Sequence, residues 1–175
     1  MGCPSLGPGY LRLFLSSEVG DVNVQATLTE LRPDSQEVLV TSGRHRVGHR
    51  QVDPEASAGN YVHYTWLEQD FELLAADEVI DTQVPIPSIA HVFRKGSRLR
   101  VSITTPGRNH GTWEFTNPTY GGETPLHTVA FGGATPSALV LSTVAVETIT
   151  GGVIPESLPV CPGLRGQPCR STQVP

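Results

Sequence analysis

Between Arg98 and Thr105 every second side chain is apolar: Leu99, Val101 and Ile103 alternate with Arg98, Arg100, Ser102 and Thr104. An extended backbone sends successive side chains to opposite faces, so this period marks a strand with one face on a core and the other in solvent. We expect Leu99, Val101 and Ile103 at the centre of that core. Asp21 to Thr29 repeats the pattern, with Val22, Val24, Ala26 and Leu28 on one face and Asn23, Gln25, Thr27 and Thr29 on the other. Tyr10 to Ser16 places Leu11, Leu13 and Leu15 on one face and a mixed set on the other. An α-helix does not accommodate a period of two, so these segments commit the chain to β-structure.

The punctuation agrees. The 175 residues include 18 glycines and 15 prolines, too many for a helical bundle and suited to short strands joined by turns. Arg32-Pro33-Asp34-Ser35 turns the chain, and Glu37 to Ser42 returns it as the second arm of a hairpin. Residues 44 to 60 read as a surface loop, which makes His45 and His49 solvated. Tyr61 to Trp66 has the aromatic and β-branched content of a strand, followed by a short turn or helical piece. Val79 to Ile86 alternates Ile80, Thr82, Val84 and Ile86, and Pro85 and Pro87 mark it as a sheet edge or strand end. Ile89 to Phe93 forms a short apolar segment, and further strands are expected near Leu126 to Phe131 and Ser137 to Thr148. About eight short strands without a long helix describe an all-β fold: a two-sheet antiparallel β-sandwich of jelly-roll, galactose-binding-domain-like kind. The sandwich spans residues 1–148. Residues 149–175 form a Pro/Gly-rich C-terminal tail, lying over the domain or free of it.

Charge and motifs restrict function. Twelve basic residues against seventeen acidic ones give a net charge of -5, and Lys95 is the sole lysine, so nucleic acid is excluded as a partner class. No apolar run reaches the roughly 18 residues of a spanning helix, and Met1-Gly2-Cys3-Pro4 lacks the charged start and apolar stretch of a signal peptide. No membrane association is expected, and the default address is cytoplasmic. Cys3, Cys161 and Cys169 fit no zinc spacing. Cys161 and Cys169 enclose a turn-rich loop that would bring their sulfurs together in an oxidising compartment, or they are two free thiols. A serine nucleophile on an α/β sheet needs Gly-x-Ser-x-Gly, and no serine here has that setting. His45 and His49 lack the His-Glu-x-x-His context of a metalloprotease, and no glycine pattern builds a phosphate cradle. We therefore expect no catalytic residues, no metal and no cofactor in this chain.

One stretch carries more information. Val84 to Ile103, with Ala90-His91-Val92-Phe93-Arg94-Lys95-Gly96-Ser97-Arg98-Leu99-Arg100 at its centre, resembles the signature of the C-terminal jelly-roll domain of the Xaa-Pro dipeptidyl-peptidase and cocaine esterase family of serine hydrolases. Leu11 to Ser17 with Asp21, Val22 to Leu31 with Pro33-Asp34, Gly43-Arg44-His45-Arg46, His127-Thr128-Val129 and Pro136 to Leu141 are similar to further pieces of that family in the same order. The likeness covers roughly residues 8 to 145. The motif has a scaffold reading: Val92 and Phe93 seal the core, Lys95-Gly96 turns the chain, and the alternating strand follows.

The resemblance implies a non-catalytic domain that packs on an α/β-hydrolase catalytic domain, or on a neighbouring subunit of a homo-oligomer, and shapes substrate access. The Ser, Asp and His triad of such hydrolases lies in a domain that this chain does not contain, so the chain alone is expected to be inactive. With Met1 at the first strand, it reads as a truncated gene product, a separately encoded domain or an excised piece. The alternative is a free-standing carbohydrate- or protein-binding module, which would present solvent-facing aromatics. After the strongest strand comes Arg108-Asn109-His110-Gly111-Thr112-Trp113. We read Arg108, Asn109, His110 and Trp113 as interface residues, with Trp113 as a plug of the sandwich's open end as the alternative.

Overall fold

Leu11, Leu13 and Leu15 are the spine of the molecule. They lie on β1 (Cys3–Ser17), a long strand whose two edges organise one sheet. In this computed structural model, which describes residues 3–76, 78–107, 117–150, 160–161 and 169–172, β1 pairs antiparallel along one edge with β4 (Ile80–Phe93). Its other edge is shared by β6 (His127–Ala130), opposite Phe14 to Ser17, and β7 (Ala138–Thr143), opposite Ser5 to Arg12. The second sheet runs in the order β5 (Arg98–Thr104), β2 (Asn23–Leu31), β3 (Gln36–Arg46) and β8 (Arg170–Ser171). The two sheets form a β-sandwich whose core joins Leu11, Leu13 and Leu15 of β1 to Val24, Ala26 and Leu28 of β2 and to Val84 and Ile86 of β4. Among the described residues the helical content is a single 3-10 turn, Glu68–Asp70, and one short helix, Val146–Thr150. None is long and apolar enough to cross a membrane.

The hairpin turn has the predicted chemistry. Ser35 takes a left-handed backbone (φ 61), its N–H donates to the Arg32 carbonyl (3.1 Å), and Asp34 Oδ1 accepts the Gln36 N–H (3.3 Å). The turn after β4 closes where Lys95-Gly96 is expected to close it, with Gly96 at φ 87 and the Ser97 N–H on the Arg94 carbonyl (3.1 Å). Pro85 and Pro87 sit on β4, which borders its sheet as their missing N–H groups require.

Four expectations are corrected. First, residues 44 to 46 belong to β3, and His45 is buried (2% exposed) rather than solvated. The cause is a bulge: Leu28 pairs with Thr41 but Thr29 with Leu39, so Val40 is an extra residue that shifts the face of everything after it. Thr41, Gly43 and His45 then lie buried, and a Cβ on Gly43 would collide with the Pro85 carbonyl of β4, so only glycine allows the two sheets to meet there. Second, Tyr61 to Trp66 is no strand; it makes only isolated bridges, Ala58 with Tyr61 and Val52 with Tyr64. Its aromatic content serves side-chain packing instead of a ladder. Third, Leu99 and Ile103 are 42% and 37% exposed, because β5 borders its sheet and the opposing sheet does not cover it fully. Fourth, the strand expected from Ser137 to Thr148 stops at Thr143, and Val146–Thr150 is helical. Of the tail, Arg170 and Ser171 lie over the domain, paired with Glu37 and Gln36.

Candidate interaction surface

Arg108, Asn109, His110 and Trp113, the interface residues read from the sequence, lie outside the described residues. Cys161 and Cys169 are joined as a disulfide with Cα atoms 6.1 Å apart, and Cys3 is an exposed thiol. Among the described residues no group of three or more His, Cys, Asp or Glu is arranged to hold a metal ion. Ser17 Oγ lies 2.9 Å from His127 Nδ1, a pairing that invites comparison with a nucleophile and its base. That hydroxyl is buried and already accepts the Val19 N–H (3.1 Å), so it ends a strand and presents nothing to a substrate.

The feature that stands out is the excursion from residue 47 to 79 between β3 and β4. Its described residues have almost no regular secondary structure, yet their backbone is held at several points. Asp53 N–H bonds the His63 carbonyl (2.8 Å) and Thr65 N–H the Gln51 carbonyl (3.1 Å). Glu72 N–H bonds the Gly48 carbonyl (2.9 Å), and Leu74 N–H the Gly20 carbonyl (2.8 Å). Arg50 ties its two halves together through the Glu72 carbonyl (2.7 Å) and carboxylate (2.6 Å). Long loops ordered in this way are usually functional.

Under the excursion lies a stack of rings. His45 is stacked on Tyr64 (centroids 4.2 Å, 18° between planes), and Trp66 meets both edge-on, 6.0 Å from His45 and 5.8 Å from Tyr64. His49 adds contacts to Trp66 (5.5 Å) and Phe71 (5.0 Å). The Tyr64 hydroxyl is pinned to the backbone of β4, donating to the Gln83 carbonyl (2.5 Å) and accepting its N–H (3.2 Å). Among the described residues neither ring nitrogen of His45 has a hydrogen-bond partner. Burial, reinforced by the nearby charge of His49, therefore pulls its pKa from 6.5 to about 3, and the ring is neutral at physiological pH.

Trp66 has the least ordinary backbone in the stack. Its φ is 55, a left-handed conformation that costs a bulky residue on the order of 1–3 kcal/mol and persists only where packing enforces it. The ring is nevertheless 48% exposed. With Tyr61, 47% exposed, it lines a shallow cleft of about 500 Å³ between the excursion and β4, where His63, Arg44, Pro85 and Pro87 complete the walls. Val52 and Leu67, on the same excursion but outside the cleft lining, are exposed as well. Sequence reading locates these aromatics but assigns them to a strand. The left-handed φ of Trp66 follows from tertiary packing and leaves no local signal.

At the other end of β4 lies a second polar cluster. Glu30 is buried between the sheets, where its Oε2 meets His91 Nε2 (2.8 Å) and its Oε1 accepts the Arg94 N–H (3.4 Å). Burial alone would raise the Glu30 pKa, but the hydrogen bond with His91 and further polar contacts outweigh it and hold the carboxyl below its ordinary range. His91 and Arg94 belong to the central motif, so the motif anchors β4 and its turn to β2.

The sequence profile of the X-Pro dipeptidyl-peptidase C-terminal non-catalytic domain matches residues 6–140. No curated protein matches the chain. Two crystal structures of a CocE/NonD family hydrolase from Staphylococcus aureus share its fold, with TM-scores of 0.67 and 0.66 at 20% identity. The likeness covers 82% of this chain and 29% of the hydrolase.

Proposed function

Since the chain belongs to the family of X-Pro dipeptidyl-peptidase C-terminal non-catalytic domains, we propose that it packs on an α/β-hydrolase catalytic domain through the excursion 47–79 and shapes substrate access there. The carrying observation is Trp66: a half-exposed indole, held in a costly backbone conformation by three neighbouring rings, is preorganised for a contact outside this chain. A buried partner surface also accounts for the breadth of apolar exposure. A sugar stacks on one or two aromatic faces, whereas Val52 and Leu67 lie outside the cleft and suit a protein partner.

Co-expression of the chain with the catalytic domain of a related hydrolase tests this reading. Trp66→Gly relieves the left-handed strain while deleting the ring, so the melting temperature should move little. Association should weaken roughly thirtyfold, the effect of losing one aromatic anchor. Arg108→Ala with Trp113→Ala is expected to weaken the same complex as a second anchor. Unchanged binding by Trp66→Gly removes the excursion from the interface.

A further inference from the structure

Alternation reads the outer face of the second sheet as solvated surface, yet that face is hollowed. Its residues stand in ranks across β5, β2 and β3: Ser102, Thr27 and Ser42 in one, Thr104, Gln25 and Arg44 in the next. Together with Thr29, Leu39, Glu37 and, from β8, Arg170, they line a cavity of about 360 Å³. Its floor is a connected polar network. Arg44 Nε donates to Gln25 Oε1 (2.8 Å), and Gln25 Nε2 donates to Thr27 Oγ1 (3.0 Å). Arg44 has only donors, so the Gln25 amide is fixed with its oxygen toward it, and the Thr27 hydroxyl keeps its proton for another acceptor. Thr29, 2% exposed, donates to Glu37 Oε1 (2.6 Å), and Arg100 Nη1 donates to Glu37 Oε2 (3.2 Å). Both oxygens of this buried carboxylate are engaged, and its charge is matched by Arg100. The guanidiniums of Arg44 and Arg170 therefore leave the lining positive, in a chain whose net charge is -5.

We propose that this cavity binds a short acidic oligosaccharide, its carboxylates on Arg44 and Arg170 and its hydroxyls on the serines and threonines between them. Shape, charge and bonding capacity each restrict the ligand. Arg44 lies three ranks along β3 from Glu37, which pairs with Arg170. At about 6.7 Å per two residues the ends are roughly 20 Å apart, so a ligand that meets both is elongated. The arginine fork takes a carboxylate through two parallel hydrogen bonds. Between the ends, Ser42, Ser102 and Thr104 make no side-chain hydrogen bond among the described residues, and a hydroxyl both donates and accepts, as a sugar hydroxyl requires. An acidic peptide fits less well. The backbone groups of a sheet are consumed in its ladders, so its face offers a peptide backbone none of the pairing that an edge provides. Leu39 is also the only apolar side chain among the described lining residues. The site is separate from the reading of the excursion 47–79, because Arg170 lines this cavity and not the cleft at Trp66.

Calorimetric titration of the full chain with trigalacturonate should give saturable one-to-one binding that weakens as salt rises. Galactotriose, a neutral sugar of the same length, should bind roughly tenfold more weakly, and so should triglutamate. Arg170→Gln removes a guanidinium from an exposed residue and keeps the backbone pairing with Glu37. It should weaken trigalacturonate binding about fivefold with an unchanged melting temperature, and Ser102→Ala should weaken it about threefold. Arg12→Gln, an equal loss of charge on β1 in the other sheet, should leave the affinity as it is. No binding at millimolar trigalacturonate, equal affinity for galactotriose, or equal weakening by Arg12→Gln and Arg170→Gln would overturn the proposal. Equal or tighter binding of triglutamate would assign the cavity to acidic peptides and overturn it as well.

Discussion

β2 and β5 are neighbours in one sheet with the same alternation, and they end in different surroundings. Ala26 and Leu28 of β2 are fully buried, while Ile103 and Leu99 of β5, the first of them directly paired with Ala26, are more than a third exposed. The difference lies in what faces them. β1 and β4 share one core cluster with β2 and β3, whereas β5 borders its sheet and its half-buried Val101 packs against the rim of that cluster. Alternation therefore assigns a side chain to a face, and the opposing layer decides how far that face is covered. The covered half of the sandwich holds the fold together, and the open half is left available for contacts with other molecules.

The sharpest test of this contrast places a carboxylate on each strand. Leu28→Asp should abolish folding, since an unpaired charge in a fully enclosed site costs more than the 5–15 kcal/mol domain can spare once the lost apolar burial is added. Val101→Asp, at the paired position on β5, should leave a folded but weakened protein, because its half-exposed site lets the carboxylate reach water. Circular dichroism and urea denaturation distinguish the two outcomes. Equal loss from both substitutions would show that β5 is as well covered as β2.

Acid probes the covered half in another way. His45 is neutral in the folded protein down to about pH 3, but ionises near 6.5 once unfolded. A group whose folded pKa is depressed in this sense costs nothing above 6.5. Below it the unfolded state binds the extra proton, and stability falls by up to about 1.4 kcal/mol per pH unit. Glu30, also depressed, loses its contribution only as pH falls below its ordinary value of 4.5, so between 6.5 and 4.5 the effect of His45 is separated from that of Glu30. His45→Phe keeps a ring against Tyr64 and removes the proton site. The variant's melting temperature should fall less than the parent's between pH 7 and pH 5. Parallel falls would place water at the imidazole.

These particulars also show what a sequence discloses. The alternations of β1 and β2, the Pro33-Asp34 turn, the prolines of β4 and the Lys95-Gly96 turn are local, and each is legible from neighbouring residues. The burial of His45 is not, because one extra residue at Val40 reverses the parity of the count. The excursion is harder still. Tyr61 to Trp66 has strand composition without a neighbouring strand, and Trp66 is held by rings from His45 and His49, which the sequence reading placed in a solvated loop. The cleft was therefore invisible from sequence, although the aromatics that line it were conspicuous. The family motif contributed a different kind of information. His91 and Arg94 anchor to Glu30 more than sixty residues away, a contact that no local pattern announces.

The smallest expected effect belongs to the open edge. Leu99 sits opposite Glu30, with 42% of its surface in water. Full burial of a leucine side chain contributes about 1.5–3 kcal/mol, so a side chain with nearly half its surface still hydrated has about 1–2 kcal/mol to lose. Leu99→Ser should thus cost about 1–2 kcal/mol in urea denaturation, against the 2–5 kcal/mol expected of Leu28→Ala. A cost as large as that of Leu28→Ala would place Leu99 inside the covered half.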